Sequence, residues 1–425
     1  MKKKLRIIFV WTLVSLTLQY GAYSYLNNQV QKVMAPVNAS ETPITVQLKA
    51  TISGVALTNI QISYAKDYLA YTENGTLKVF NLKKEKVVFE KKSPSVNDKT
   101  LGVLTYQWLP DRDTLIYFYA KKNPNPVTTV TIYPSKPTVQ TPVQTPVQTP
   151  TSVDPKTEDP NQKIEKEVPK NVPKEAPIEP RVEKRYGNPQ ITELYSLELP
   201  NSDEDTEPDD RFNQTIEKFP ADGKIEELVV STSTNLMYLT VKSGSTELLM
   251  EIDVMKNVRT LSKSGESIDN MAASDRYGTL LIDSKVGSTQ QVVALDGGKR
   301  IIISKNTNDR ILGIRAGSVY IGEVKNNKLV KIKTTEDLSN LTSNPSLKTK
   351  WEGSIPFDDN ERMIIGAQGQ VVVYDHQTAY IVTNGNLTEV KLHGDENYVS
   401  VDGAELIQLT KQGTSTLVEL QPLKS

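Results

Sequence analysis

The sequence predicts an all-β protein, a β-propeller of about seven four-stranded blades preceded by one N-terminal transmembrane or signal helix. Short runs of alternating apolar and polar residues come in groups of four, and these groups recur along most of the 425 residues. One interval between groups is far too long and contains a proline-rich repeat. The last group lacks a strand, while an additional strand precedes the first group.

The first group has the size of one propeller blade. Residues 59–92 contain the runs IQISY, YLAYT, TLKVFNL and KVVFE, with Asn74-Gly75 between the second and the third. Both turn residues tolerate positive φ, so the pair predicts a two-residue hairpin. Four strands in about 34 residues match a propeller blade.

The groups recur at a regular spacing. Their first strands begin near residues 59, 104, 225, 268, 309, 362 and 397. Most intervals span 35–53 residues, close to the propeller repeat of about 40–50 residues. Residues 334–350 are loosely patterned, so six and eight blades remain open beside seven.

The long interval contains incomplete flanks. Residues 104–122 supply two strands before it, residues 190–201 supply one after it, and residues 211–220 can supply a fourth. A linker between two domains would leave a complete unit on each side. We therefore predict an insertion inside blade two, where VTTVTIYPS (127–135) could extend the second strand into a projecting hairpin.

The insertion itself is predicted to be disordered over residues 136–189. It includes PTVQTPVQTPVQTPTSV at 137–153 and continues with a balanced mixture of acidic and basic residues. Proline every few residues blocks helices and strand ladders and favours extended chain.

Ring closure is an independent indication of the fold. The last stretch, 397–423, supplies three strands, and PITVQLKATIS (43–53) supplies one strand ahead of the first blade. Pairing this strand into the last blade would leave no open sheet edge. Residues 43–425 are therefore predicted to form one ring.

The N-terminus predicts a membrane segment or a signal peptide over residues 1–26. Three lysines and Arg6 precede residues 7–26, which contain no charged side chain. Twenty helical residues span about 30 Å, the thickness of the hydrocarbon core of a bilayer. A cleaved signal peptide, with Ala22-Tyr23-Ser24 at the cleavage site, is the alternative. Either way, we expect a linker at 27–42 and an extracytoplasmic ring, secreted if the signal is cleaved.

Two stretches carry a family resemblance. SYAKDYLAY (63–71), followed by NGTLKV (74–79), and WLPDRDTLIY (108–117), followed after the insertion by ELYSL (193–197), resemble "SPDG-x-x-LAY" propeller repeats. Such WD40-like repeats occur in the TolB-like and dipeptidyl-peptidase IV N-terminal domain families. Lys66 and Arg112 depart from the usual Pro and Gly of this pattern.

The resemblance implies a scaffold without peptidase activity. The peptidase branch adds a C-terminal α/β-hydrolase domain, for which we expect no room in this chain. The sequence also contains no G-x-S-x-G nucleophile elbow and no cysteine. We therefore assign no catalytic residue and no cofactor.

Two isolated histidines and one acidic loop are the candidates for metal chemistry. His376 and His393 have no metal-ligand spacing and are interpreted as turn residues. Residues 201–211 carry six carboxylates, of which Asp203, Asp205, Glu207 and Asp209 could ligate calcium. The EF-hand pattern is not met there, because Pro208 occupies the position that requires glycine. We predict a solvated acidic loop and assign no metal ligand.

The expected function is that of a non-catalytic binding or scaffold module in a bacterial envelope. It would be attached to the cytoplasmic membrane through residues 7–26 and would bind a protein, a peptide or a cell-wall polymer. A net charge of −1 gives no indication of nucleic-acid binding. A glycan-active hydrolase or lyase with carboxylates at the channel mouth is the alternative. A structural role, in which the insertion contacts the cell wall or a partner, is the third possibility.

Overall fold

The computed structural model describes residues 48–132, 181–335 and 345–423, apart from residues 96, 97, 99, 254, 256, 275, 276 and 359–361, together with Gln19. Within these residues the strands form seven four-stranded sheets and one two-stranded sheet. The prediction of an all-β, seven-bladed propeller is therefore confirmed. The first described strand, β1 (Lys49–Ser53), belongs to the last blade.

The first three blades follow one another along the chain, with one excursion. Blade 1 contains β2 (Leu57–Ile62), β3 (Tyr68–Glu73), β4 (Thr76–Asn81) and β5 (Lys86–Lys91). Blade 2 begins with β6 (Gly102–Trp108) and β7 (Thr114–Lys122), and the chain then forms the separate hairpin β8 (Val127–Ile132) and β9 (Arg181–Tyr186). Blade 2 is completed by β10 (Gln190–Glu198) and β11 (Asp209–Thr215). Blade 3 contains β12 (Lys224–Ser231), β13 (Leu236–Ser243), β14 (Thr246–Ile252) and β15 (Val258–Thr260).

The remaining blades repeat the same meander. Blade 4 contains β16 (Glu266–Ala273), β17 (Leu280–Val286), β18 (Thr289–Asp296) and β19 (Lys299–Ser304). Blade 5 contains β20 (Asp309–Arg315), β21 (Ser318–Lys325), β22 (Lys328–Thr335) and β23 (Lys348–Pro356). Blade 6 contains β24 (Arg362–Ile365), β25 (Val371–Tyr374), β26 (Thr378–Thr383) and β27 (Asn386–Lys391). Blade 7 contains β28 (Glu396–Val399), β29 (Glu405–Gln412) and β30 (Ser415–Pro422), and β1 is its fourth strand.

The ring closes as the sequence predicts. Strand β1 pairs antiparallel with β30, and Ile52 lies opposite Thr416. Ile52 is 1% exposed and packs in a cluster that joins blade 7, through Val418, to blade 1, through Leu69. The N-terminal strand therefore completes the last blade and covers an edge that would otherwise be open.

The hydrophobic core is distributed around the ring. Within the described residues, seven clusters of buried side chains lie between consecutive blades, including the pair formed by blades 7 and 1. Trp108 and Tyr117 of blade 2, for example, pack with Tyr68 of blade 1. Each blade is thus stabilised by both of its neighbours, and the ring is one folding unit.

The predicted turn at Asn74-Gly75 and a second turn at Gly297-Gly298 have positive φ at both central residues. Asn74 and Gly75 have φ of 50° and 77° between β3 and β4. Gly297 and Gly298, with φ of 53° and 88°, join β18 to β19. Positive φ at both central residues is the geometry that matches the twist of a hairpin.

The boundary of the insertion differs from the prediction. Strand β9 lies at Arg181–Tyr186, inside the range 136–189 that was predicted to be disordered, and pairs with β8 over its whole length. The apolar residues of β9 are only Val182 and Tyr186, so the strand has little signal of its own and depends on pairing with β8. Residues 133–180 lie outside the described residues.

The predicted N-terminal elements also lie outside the described part of the chain. These are the membrane or signal segment at 1–26 and the linker at 27–42. Among the residues that the structure describes, no helix has the length and apolar character needed to cross a membrane.

Candidate functional site

The first strands of the blades line the axis of the ring. Each of β2, β6, β12, β16 and β20 contacts the first strand of the next blade. A register shift interrupts the pairing of each of these five strands with its neighbour in the sheet. Such bulges bend a strand and redirect a side chain. Polar side chains at the bulges therefore reach the adjacent blade.

Several of these side chains bind the backbone of the next blade. The Gln61 amide donates to the carbonyl oxygen of Tyr106 at 3.0 Å, which joins blades 1 and 2. The Asn270 amide donates to the carbonyl oxygen of Ile311 at 2.9 Å, which joins blades 4 and 5. These hydrogen bonds satisfy carbonyl groups of the first strands β6 and β20, each of which has a partner strand on one side only.

Two carboxylates in the channel wall make the same kind of contact. Glu227 of β12 accepts a hydrogen bond from the Met271 N–H at 3.3 Å. Asp283 of β17 is 1% exposed and accepts the Ile311 N–H at 3.0 and 3.1 Å through its two oxygens. Both groups are thus held against neighbouring blades.

Burial makes these two carboxyl groups weaker acids than carboxyl groups exposed to solvent. Loss of solvation raises the pKa of Glu227 to about 8, with a further contribution from the charge of Asp283. Loss of solvation likewise raises the pKa of Asp283 to about 7, and its backbone hydrogen bond opposes this shift. The channel wall therefore contains two groups that titrate near neutral pH.

A cleft of about 660 Å³ opens beside Asp283, at the end of the ring where β20 and β24 begin. Its described lining contains three carboxylates and one guanidinium, that of Arg310, next to the apolar side chains of Phe357 and Met363. Arg310 donates to the carbonyl oxygens of Thr307 and Asp309 at 2.8 and 3.0 Å. The lining is Asp269, Asn270, Asp283, Arg310, Phe357, Asp358 and Met363.

The chemistry of this cleft suits binding. Asp283 is held by a backbone N–H, while Asp269 and Asp358 are exposed. Glycoside cleavage needs two carboxyl groups at a defined separation across a sugar, and sugar rings stack on aromatic walls. Phe357 is the single aromatic residue of the described lining. This surface matches a cationic and partly apolar ligand better than a glycan.

Sequence reasoning did not identify this site. With 51 acidic residues in the chain, no pattern singles out the few that converge. A weak signal exists, because polar pairs interrupt the apolar runs of first strands at Glu226-Glu227 and Asp269-Asn270. Only the folded ring shows that these pairs coincide with bulges beside the axis.

The two histidines lie in exposed turns, as predicted. His376 lies between β25 and β26, and its carbonyl oxygen accepts a hydrogen bond from the Asn397 amide at 2.8 Å. His393 follows β27, and its carbonyl oxygen accepts from Gln408 at 2.7 Å. The backbone of each residue therefore joins blade 6 to blade 7.

Residues 201–208 of the acidic segment form a solvated loop that is paired with lysines, whereas residues 209–211 belong to β11 and not to the predicted loop. Asp203 and Asp205 have side chains that are 84% and 88% exposed. Lys84 contacts Asp205 at 2.7 Å, and Lys83 lies 3.9 Å from Asp203. Throughout the described residues, no group of three or more acidic or histidine side chains could hold a metal ion.

Comparisons with known proteins show similarity of fold alone. No family model and no curated protein matches the chain. The Cps50 (Swd1) β-propeller domain of Myceliophteria thermophila is 11% identical, with a TM-score of 0.45, over 87% of this chain and 97% of that domain. The CNH domain of AfRom2 is 8% identical, with a TM-score of 0.43, over 89% of this chain and 100% of that chain.

A further solved structure belongs to a peptidase. The acylaminoacyl peptidase of Pyrococcus horikoshii is 12% identical, with a TM-score of 0.39. The match covers 80% of this chain and 45% of the peptidase. At such identities the similarity concerns the propeller architecture and carries no statement about activity.

Proposed function

We propose that this protein is a membrane-anchored, extracytoplasmic β-propeller of the TolB-like or dipeptidyl-peptidase IV N-terminal type that binds a polypeptide segment without catalysing a reaction. The proposal for the anchor rests on residues 7–26, whose charge-free length fits a bilayer and whose positive flank fits the cytoplasmic side. The proposal for the type of propeller rests on the repeats at 63–79 and 108–117.

The cleft at the channel mouth carries the proposal of a polypeptide ligand. Its exposed carboxylates, Asp269 and Asp358, attract a lysine or arginine side chain. Phe357 and Met363 offer partly buried apolar surface to the residue beside it. A cell-wall glycan would need a larger aromatic platform than this lining provides.

Site-specific photocrosslinking tests the proposal. A photoreactive amino acid at Met363, inside the cleft, should form adducts with a polypeptide in intact cells. The same group at Ser233, an exposed turn residue between β12 and β13, is the control and should not. The double substitution Asp269→Asn, Asp358→Asn should reduce the adducts at Met363 about tenfold, equivalent to about 1.4 kcal/mol of binding free energy. Equal adducts at the two positions, or adducts with carbohydrate alone, would contradict a polypeptide site at the channel mouth.

A further inference from the structure

A second cleft, of about 430 Å³, lies between blades 3 and 4. Its lining comes from β13, β14 and β15 of blade 3 and, in blade 4, from β19 and the turns that join β16 to β17 and β18 to β19. These turns lie at the end of the ring opposite the channel mouth, where first strands end rather than begin. The volume falls in the range of small-molecule sites, which is about 300–1,000 Å³.

Arg259 contributes an accessible guanidinium to the rim of this cleft. Its side chain is 51% exposed, and its Nη2 donates to the two carboxylate oxygens of Glu251 at 2.7 and 2.9 Å. The ion pair uses only the donors of Nη2, although a guanidinium also carries N–H donors on Nε and Nη1. The turn at Gly297-Gly298 passes beside Arg259 without side chains, and a Cβ at Gly298 would lie 3.8 Å from Arg259 Nη1. The glycines therefore leave space for a ligand next to the guanidinium.

Arg300 contributes donors that lack acceptors. Its side chain is 17% exposed, lines the same cleft, and donates from Nη2 to Glu266 at 2.5 Å. Its Nε and Nη1 are buried and have no hydrogen-bond partner in the described part of the chain. A buried donor without an acceptor destabilises a fold, and the cost is larger for a charged group. An acceptor supplied by a ligand would remove this cost.

The rest of the wall is largely apolar. Tyr277 lies in the turn between β16 and β17, and 45% of its surface is exposed. The Tyr238 hydroxyl donates to the carbonyl oxygen of Gly278 at 2.5 Å and so holds this turn against blade 3. Three leucines complete the apolar surface: Leu236, Leu261 and Leu295. The cleft thus places arginine donors next to apolar and aromatic side chains.

We propose that this cleft binds a small organic acid that carries one carboxylate on an apolar or aromatic body. The carboxylate accepts hydrogen bonds from Arg259 and Arg300, because a planar carboxylate matches the N–H fork of arginine. The apolar body packs against Tyr277 and the three leucines, which removes its surface from water. The site is separate from the channel mouth, and the proposal does not depend on the anchor or on the proposed polypeptide ligand.

The local charges favour a singly charged ligand. Glu251 and Glu266 each neutralise one of the two arginines, so the cleft offers N–H donors rather than a large positive charge. Asp296 is the exposed carboxylate of the described lining, and its charge opposes a bound anion. A phosphate group, with a charge of about −1.5 to −2, would be repelled more strongly than a monocarboxylate.

Three small probes test the two halves of the site on the full-length protein in detergent. 3-Phenylpropionate has both the carboxylate and the aromatic body, 3-phenylpropionamide lacks the charge, and propionate lacks the ring. Dissociation constants are measured by saturation-transfer NMR titration. We expect saturable binding of 3-phenylpropionate, with each of the other two probes bound at least about tenfold more weakly, equivalent to about 1.4 kcal/mol.

Two variants with opposite expected effects test the assignment of the site. Arg259→Gln should raise the dissociation constant of 3-phenylpropionate at least about tenfold, because one partner of the carboxylate is lost. Asp296→Asn should lower it about two- to fivefold, because a repelling charge is removed at an exposed position. Arg211→Gln is the matched control, since the Arg211 side chain is 55% exposed and contacts Asp209 at 2.6 Å in blade 2, and it should leave the constant unchanged. Arg300 is kept, because its removal would leave Glu266 buried without a partner.

Thermal unfolding of each variant establishes that it is folded before the titration. Equal affinity for 3-phenylpropionate and its amide, or the absence of saturable binding, would overturn the carboxylate site. An unchanged dissociation constant in Arg259→Gln, or weaker binding in Asp296→Asn, would show that the probe binds elsewhere and would also overturn it. Tighter binding of the peptide N-acetyl-Gly-Gly-Phe than of 3-phenylpropionate would assign the cleft to a polypeptide terminus and contradict a small-molecule ligand.

Discussion

Replacing Asp283 with asparagine removes the most deeply buried ionisable group of the channel wall. The Asp283 side chain is 1% exposed, and burial raises its pKa from 3.8 to about 7. Because the folded state holds this proton more tightly than the unfolded chain does, Asp283 lowers the free energy of unfolding as pH rises from about 4 to about 7. The loss between pH 5 and pH 8 is on the order of 2–3 kcal/mol, at 1.36 kcal/mol for each pKa unit.

Urea unfolding at pH 5 and pH 8 measures this effect. The Asp283→Asn variant should lose about 2–3 kcal/mol less stability between the two pH values than the parent protein does. The pKa of Glu227 should also fall in this variant, because the Asp283 charge contributes to raising it. Asp222→Asn, at an exposed loop position before β12, is the matched control and should follow the parent. An identical pH dependence in the parent and Asp283→Asn would show that burial does not oppose the charge of Asp283.

Three further predictions concern closure, turn geometry and the acidic loop. Ile52→Ala should lower the free energy of unfolding, measured by urea titration, by about 2–5 kcal/mol, because the Ile52 side chain of β1 is buried against blade 1. The control Thr51→Ala should have little effect in the same titration, because Thr51 is exposed. Gly75→Ala should cost about 1 kcal/mol in thermal unfolding, because φ at this position is 77°, and a cost near zero would contradict the turn geometry. Millimolar calcium should leave the melting temperature unchanged, because the side chains of Asp203 and Asp205 are solvated. An upward shift of the melting temperature would show that calcium binds the folded protein and would contradict this prediction.

The regular parts of the ring could be predicted because their signals are local. Asn74-Gly75 fixes a hairpin through backbone geometry alone, and the nearly continuous apolar run of β3 follows from a strand that is buried on both faces. Closure by β1 could be predicted because an unpaired edge in the last blade needs a partner. These inferences need only the neighbours along the chain and one topological rule.

The channel mouth and the second strand of the hairpin, β9, depend on distant residues and could not be predicted. The acidity of Asp283 depends on its burial against Ile311 of the next blade, which no spacing in the sequence reveals. Strand β9, with only Val182 and Tyr186 as apolar residues, is a strand because β8 pairs with it. Prolines elsewhere in the same interval predicted disorder up to residue 189, whereas Arg181–Tyr186 form a paired strand.

Both flanks of the insertion belong to one ring, because β7 and β10 pair within blade 2. A specific protease site introduced between Pro150 and Thr151 allows the chain to be cut once, and the products can be analysed by size-exclusion chromatography under native conditions. The two fragments should elute together at the volume of the uncut protein and separate only in denaturant, because β7 and β10 pair across the cut within blade 2. Fragments that separate under native conditions and remain folded would show two independent domains and contradict the single ring.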